Sequence, residues 1–550
     1  MKLNILKENR LCSSYCIFNF YIFFSCVLLG QTQNLDLSIN KTIQLALKNN
    51  PAIQASQYNI EISESDITRA KASLTPQTRV SFNRSASQPH PAIDSGIPKS
   101  LKEFNKLNDS EFNLSEFKID QLDPSSGKIS SFYPFDELEP NPLIERPSNQ
   151  TEFQFSDRFK TGTNYTLSLQ NRKFFLSYPK DPVAYLNQSN LSLTLSQPLL
   201  KGFGIRVNTA NLQTAQNFKV MAKHNFRRQV ESFVAEVQRL YWDFVFATEN
   251  LKVKKNSLLQ ANQLLNMNQR RREVGMATVS DILQAKAAIA AQEAQVIIAQ
   301  DQVSDKSDEL KRITNIMESE NAWRIQIIPT DQPRTEFIDI DLDESLKTSL
   351  KNRAEYIKSE IDLENKNIQL WLAKNQRLPE LDIQGDFGLR KVGESLSDAL
   401  KSEVRSIRNW QVGMFLTYPI GDPTGKSFLD RARSEKSQAL ASFKDQEQKI
   451  IIEVRETVRQ LKTSQQEIVA TQSALDLEEQ KLAAEEKRYQ IGLSTSFNIL
   501  RFQNDLSEAR SRHLRAITRY NQAFAFYIKS LGTTLQEHNI KLTDDGRLIE

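Results

Sequence analysis

Apolar residues recur every seven positions along two long stretches of this chain. Val237, Phe244, Leu251, Leu258 and Leu265 form one series, and 217 positions later Val454, Leu461, Ile468, Leu475 and Leu482 form its counterpart. A companion series, Ile282, Ile289, Val296, Val303 and Leu310, falls at the same offset on Ile499, Leu506, His513, Tyr520 and Tyr527. A sustained seven-residue period means helices wound at about 3.5 residues per turn and packed side by side in a left-handed supercoil. No proline stands between Leu199 and Ile328 or after Pro423, so nothing breaks these helices. At about 1.5 Å per residue, a helix from Asn208 to Val274 is roughly 100 Å long, far beyond a compact domain. Gly275 and Gly492 interrupt the pattern at corresponding places and helical spacing resumes at once, which predicts the tips of two long antiparallel hairpins.

Other segments alternate with a period of two. Tyr165, Leu167 and Leu169 alternate with Thr166, Ser168 and Gln170, and Leu191, Leu193 and Leu195 with Ser192, Thr194 and Ser196. Leu381, Ile383, Phe387 and Leu389 face away from Asp382, Gln384, Asp386 and Arg390, and Trp410 to Tyr418 repeats the pattern. The segments run about nine to eleven residues, the length that crosses a bilayer as a tilted strand. A soluble sheet with one wet face alternates in the same way. Four such strands cannot close a membrane barrel, since the smallest need about eight, so several chains must contribute to one barrel.

The chain also repeats itself nearer its start. Leu37, Ile39, Ile43, Leu47, Ile60, Ile67, Ala70 and Pro76 correspond, 303 positions on, to Ile340, Leu342, Leu346, Leu350, Leu363, Leu370, Ala373 and Pro379. Two tandem repeats are therefore expected, differing mainly by an insertion in the first. Residues 88–150 hold eight of the 18 prolines, with much Ser and Asn and no period, and read as a long extracellular loop.

Composition narrows the class. The mean hydropathy of −0.50 over 550 residues puts the apolar surface in thin stripes. With 71 basic and 67 acidic residues spread along the chain, no basic face for nucleic acid stands out. Lys2, Lys7 and Arg10 precede an apolar run from Leu11 to Leu29 that ends at Gly30, as in an export signal. Cys12, Cys16 and Cys26, the only cysteines, all lie within it, which excludes disulfides and thiol chemistry from a mature chain. Gly421-Asp-Pro-Thr-Gly-Lys-Ser427 has three residues between its glycines where a phosphate loop needs four, and Pro423 lacks an amide, so it reads as a turn. His90, His224, His513 and His538 are scattered, leaving no metal site, cofactor site or catalytic constellation.

Leu35 to Pro51, Ser196-Gln-Pro-Leu-Leu-Lys-Gly-Phe-Gly204 and Thr417-Tyr-Pro-Ile420, in this order and duplicated, resemble the first helix and the strand-to-helix crossings of the TolC family of outer-membrane efflux and secretion proteins. The second counterpart of Asn50-Pro51 departs from the family, with Ala354 in place of proline. The resemblance implies a mostly α fold with membrane β-structure: a homotrimer whose 12-stranded β-barrel continues into a long α-helical barrel. It implies an outer-membrane location in contact with lipid, reaching into the periplasm, and a passive duct with no enzymatic activity. Its partners would be a periplasmic adaptor protein and an inner-membrane transporter. Expected boundaries are a signal at 1–30; first-repeat helices at 31–75, strands at 76–198 and hairpin at 199–314; a linker at 315–340; second-repeat helices at 341–378, strands at 379–420 and hairpin at 421–531; and a tail at 532–550. Val274-Gly275-Met276 and Ile491-Gly492-Leu493 match the family's adaptor-docking tips, and Asp281 and Tyr489 resemble positions that hold the periplasmic aperture closed. Asn498 and Arg501 stand where family members carry an acidic ring. A periplasmic or surface coiled-coil scaffold without a pore is the competing reading of the heptads.

Overall fold

The helix-to-strand order of the chain follows the two periods. From the amino end run β1 (Asn34–Leu37), α1 (Ile39–Asn49), α2 (Pro51–Ala72), β2 (Gln77–Ser87), β3 (Arg146–Arg158), β4 (Asn164–Leu176), β5 (Ala184–Pro198), the single turn α3 (Ile205–Asn208) and the long helices α4 (Ala210–Glu273) and α5 (Val279–Ile313). There follow β6 (Gln326–Pro329), α6 (Leu342–Asn352), α7 (Ala354–Gln376), β7 (Glu380–Gly393), α8 (Leu396–Lys401), β8 (Ser406–Thr417), α9 (Pro423–Gln490), α10 (Ser496–Leu531) and α11 (Thr534–Glu537). This computed structural model describes residues 34–87, 146–176, 184–316, 324–393, 395–401 and 406–543. The expected export signal with its three cysteines, and residues 88–145 of the expected loop, lie outside the described residues. No helix among the described residues is long and apolar enough to cross a membrane.

The chain divides into two units, the first holding Val237–Arg334 and Thr471–Thr518 together with the chain up to Asn49. Its helical core is the heptad stripe: Val237, Phe244, Ile282, Leu310, Leu482, Ile499 and Leu506 are all buried. Polar pairs at heptad spacing join α4 to α10. Asp243 meets Arg515 at 3.3 Å, Asn250 accepts from Ser511 at 2.7 Å, and the hydroxyls of Ser257 and Ser507 lie 2.9 Å apart. In the stretch expected to be a linker, β6 pairs in parallel with β1. The Tyr241 hydroxyl donates to Leu37 O at 3.1 Å and accepts from the Asp331 amide at 3.2 Å, fixing that small sheet on α4.

The second unit holds Asn50–Glu236, Thr335–Ala470 and the chain from Arg519 onward. The break between α6 and α7 survives the absence of proline because Arg353 adopts extended backbone (φ −65, ψ 122) and its guanidinium is buried. That side chain bonds Glu355 at 3.0 Å, Glu453 at 2.8 Å and Ser530 O at 3.3 Å. Arg227 donates to Gly532 O at 2.7 Å, and Gly532 lies so close to Asn352 that an added Cβ would meet its carbonyl at 3.1 Å.

The same unit carries one antiparallel sheet in the order β2-β3-β4-β5-β7-β8. Six strands stand in one sheet where four were expected, β2 and β3 being additional to β4, β5, β7 and β8. Of these two, β2 falls in the stretch at 76–198 expected to hold strands, and β3 begins inside the expected loop at 88–150. Its alternation rests on Phe153 and Phe155 alone, amid Asn149, Glu152 and Asp157, so too few apolar residues mark it. It is held by ladders on both sides, to β2 and to β4, a non-local stabilisation that local patterning does not reveal.

Register carries one chemistry across each face of the sheet. Val80, Phe153, Leu169, Leu191, Leu389 and Arg408 form one row, and Phe155, Leu167, Leu193, Phe387 and Trp410 the next, so five of the six strands place apolar residues there over most of their length. The opposite face carries Gln154, Ser168, Ser192, Gln384 and Gln411. Its polar groups join across strands, with Ser168 and Ser192 hydroxyls 2.7 Å apart and Thr194 donating to Asp386 at 2.8 Å. Phe415 is an apolar exception on that wet face.

Candidate functional site

The two hairpin tips are built alike. At the end of α4, the Met276 amide reaches Arg271 O at 2.7 Å and the Gly275 amide reaches Arg272 O at 2.9 Å; at the end of α9, Leu493 reaches Arg488 O at 2.8 Å and Gly492 reaches Tyr489 O at 3.1 Å. This pair of bonds is a Schellman closure, which needs a left-handed residue just past the helix. Gly275 (φ +77) and Gly492 (φ +79) supply it. The turns push apolar side chains outward: Val274, Met276, Ile491 and Leu493 are each about two-thirds exposed or more. At the points of the hairpins these residues form two small apolar knobs.

Behind the knobs lies a buried polar cluster. The Tyr489 hydroxyl donates to Asn268 Oδ1 and lies 3.0 Å from Ser496 Oγ, while Asn268 Nδ2 donates to Ser496 Oγ at 3.0 Å and to Asp281 O at 3.3 Å. Asn268 and Ser496 are wholly buried and Tyr489 nearly so, with Leu264 and Ile499 packed against its ring. The Arg271 guanidinium stacks 4.5 Å from the Tyr489 ring centre and donates to Tyr489 O at 2.6 Å. One side chain from each hairpin thus satisfies the other in a space closed to water.

Of the residues expected at the aperture, Tyr489 stands at the centre of this cluster. Asp281 starts α5 in a capping box, its carboxylate accepting from the Thr278 amide at 2.9 Å and Thr278 Oγ1 accepting from the Asp281 amide at 3.2 Å. The Thr278 hydrogen bonds hold that carboxyl below its ordinary value, with Ser496 and Arg271 adding to the effect. Asn498 reaches Ser494 Oγ at 3.4 Å, and Arg501 is exposed, apart from the cluster. Asn268, Arg271 and Ser496 were not singled out by sequence. The usable signal was Asn268 itself, a polar residue following Ala261 and Leu264 on a buried stripe.

The Gly421–Ser427 turn is explained by its own aspartate. Asp422 Oδ1 accepts from the Gly425 amide at 2.9 Å, so a side-chain carboxylate sits where a phosphate loop would offer that amide to an anion.

The chain combines long paired hairpins with apolar tips and a sheet greasy on one face and wet on the other, features that fit an outer-membrane transport protein. The model of the family described as Outer membrane efflux protein matches residues 182–315 and 346–533, more than half of the chain, and the chain belongs to that family. Outer membrane protein TolC of Vibrio cholerae is 20% identical over 339 residues, covering 58% of this chain and 73% of that protein. Among solved structures, the Campylobacter jejuni CmeC outer membrane channel superposes with a TM-score of 0.57 at 16% identity, covering 90% of this chain and 85% of its own. The outer membrane protein VceC from Vibrio cholerae gives 0.59 at 15% identity, covering 90% and 96%. The chain is thus an outer-membrane transport protein with a periplasmic extension, and the TolC resemblance read from its sequence holds.

Proposed function

We propose that three copies of this chain, built from two tandem repeats, form a passive exit duct for an efflux pump or a type I secretion system. The sheets share one membrane barrel, with the apolar face toward lipid and the polar face lining a watery lumen. The helical hairpins continue the duct into the periplasm. Exposed apolar stripes support further copies alongside: Leu283, Ile297, Ile452 and Leu477 are each more than half exposed on helices that otherwise follow the heptad rule. Val274, Gly275, Met276, Ile491, Gly492 and Leu493 dock a periplasmic adaptor, and an inner-membrane transporter supplies the energy. Asp281, Tyr489, Asn498 and Arg501 border the periplasmic aperture. Opening is a shift of one hairpin against the other that dismantles the Tyr489, Asn268 and Ser496 contacts.

The observation that carries this reading is the sheet, since a face of apolar residues continued through register-matched strands has no use in a coiled-coil scaffold. Purified protein added to a planar lipid bilayer should give discrete conductance steps. Conductance indistinguishable from bare lipid, with the protein inserted, refutes the duct.

A further inference from the structure

The sheet is open at both ends. On the apolar face of edge strand β2, Val80 and Phe82 are 70% and 68% exposed, and on edge strand β8 Met414 and Leu416 are 65% and 68% exposed, whereas Leu167 and Leu191 on the interior strands are 38% and 41% exposed. Each edge also presents unpaired backbone amides and carbonyls, which lipid does not tolerate. The two edges are complementary. β2 runs away from its junction with α2 and β8 runs toward its junction with α9, so β8 of a second copy meets β2 antiparallel. Val80 and Phe82 then share the greasy face with Trp410, Val412, Met414 and Leu416.

Register also gives the slant of the strands. The hydrogen-bonded row that starts at Gln77, the first residue of β2, passes through Ser156, Thr166, Thr194 and Asp386 to Gln411, six residues short of the end of β8 at Thr417. Six residues are a rise of about 20 Å across roughly 24 Å of sheet, a tilt near ~40°. That lies within the range of membrane barrels, about 35–45°. Six strands at that tilt cannot close on themselves. Three copies give eighteen, and a backbone diameter of about 36 Å, against about 24 Å for twelve.

We propose that the duct crosses the membrane as an eighteen-stranded barrel, sealed where β2 of each copy pairs with β8 of the next and Phe82 lies across from Val412 or its next same-face neighbour, Met414. This rests on the three-copy reading above and adds to it the seam and the width. All six strands belong to the wall, and the lumen falls in the size class of the large porins, which hold an open aqueous channel.

Cysteine pairs test the seam in full-length protein with Cys12, Cys16 and Cys26 replaced by serine. Phe82→Cys with Val412→Cys, or Phe82→Cys with Met414→Cys, should on oxidation give covalent dimers and trimers on denaturing gels, at least tenfold more than either single variant. Leu167→Cys with Met414→Cys should give none. Cross-links from the Leu167 pair would place the seam at β4 and overturn the proposal in favour of a twelve-stranded wall. A trimer that is retained in detergent but is not joined by either Phe82 pair overturns it too, and counting strands in electron micrographs of that trimer gives a second reading, eighteen against twelve. Loss of the trimer itself in the unsubstituted protein would instead remove the three-copy reading, so the two failures are distinguishable.

Discussion

Asn268 shows how one buried side chain can join two hairpins. Its amide has two acceptors within reach and its carbonyl receives the Tyr489 hydroxyl, so each polar atom at the centre of the tip is occupied. Removing one member leaves the others buried without partners, at a cost of about 1–3 kcal/mol each. Asn268→Leu, which keeps the volume but neither bond, should raise hydrogen exchange in the tip segments around Tyr489 and Ser496 by about tenfold or more. Tyr489→Phe, which loses only the hydroxyl, should do so less. If exchange at both segments stays at the wild-type rate in Asn268→Leu, the cluster does not hold the tips together.

At the scale of elements, helix ends decide more than helix interiors. α4 has 64 residues and α9 has 68, lengths that follow from heptads uninterrupted by proline. Where they stop is set by a single glycine each, because the left-handed backbone at Gly275 and Gly492 costs an ordinary residue roughly 1–2 kcal/mol. Open space surrounds both glycines, so strain rather than collision would oppose a larger residue. Gly275→Val together with Gly492→Val should therefore weaken capture of the purified adaptor by at least tenfold while the trimer persists. Undiminished capture would separate the tips from docking. The capping box that begins α5 is a local contact between Thr278 and Asp281, whereas the bond from Asn268 to Ser496 joins residues 228 positions apart, which no local pattern reports.

For the molecule as a whole, the buried histidines predict a loss of stability in mild acid. Desolvation lowers the pKa of His224, aided by Arg227, and lowers those of His513 and His538 against the opposing pull of Asp476 and Glu537. A histidine with a depressed folded value adds stability above its unfolded value of about 6.5 and loses it as pH falls through the folded value. Glu231 runs the other way, its carboxyl raised by desolvation despite Arg227, so variants must carry the comparison. The thermal midpoint should be lower at pH 5 than at pH 7.5, and replacing all three histidines with glutamine should shrink that difference. An unchanged difference in the triple variant rules them out as its source.

The sequence by itself determined the helical hairpins, their glycine tips, the greasy and wet faces of four strands and the family, because each is written in spacing that neighbouring residues impose. Only the tertiary structure decided that β3 is a strand, that β1 and β6 pair, that Arg353 replaces a proline as the helix breaker and that Asn268 bridges the tips. Those features gain their free energy from partners distant in the chain. A strand with two phenylalanines or an asparagine on an apolar stripe is unfavourable alone and becomes favourable only when another segment completes its hydrogen bonds.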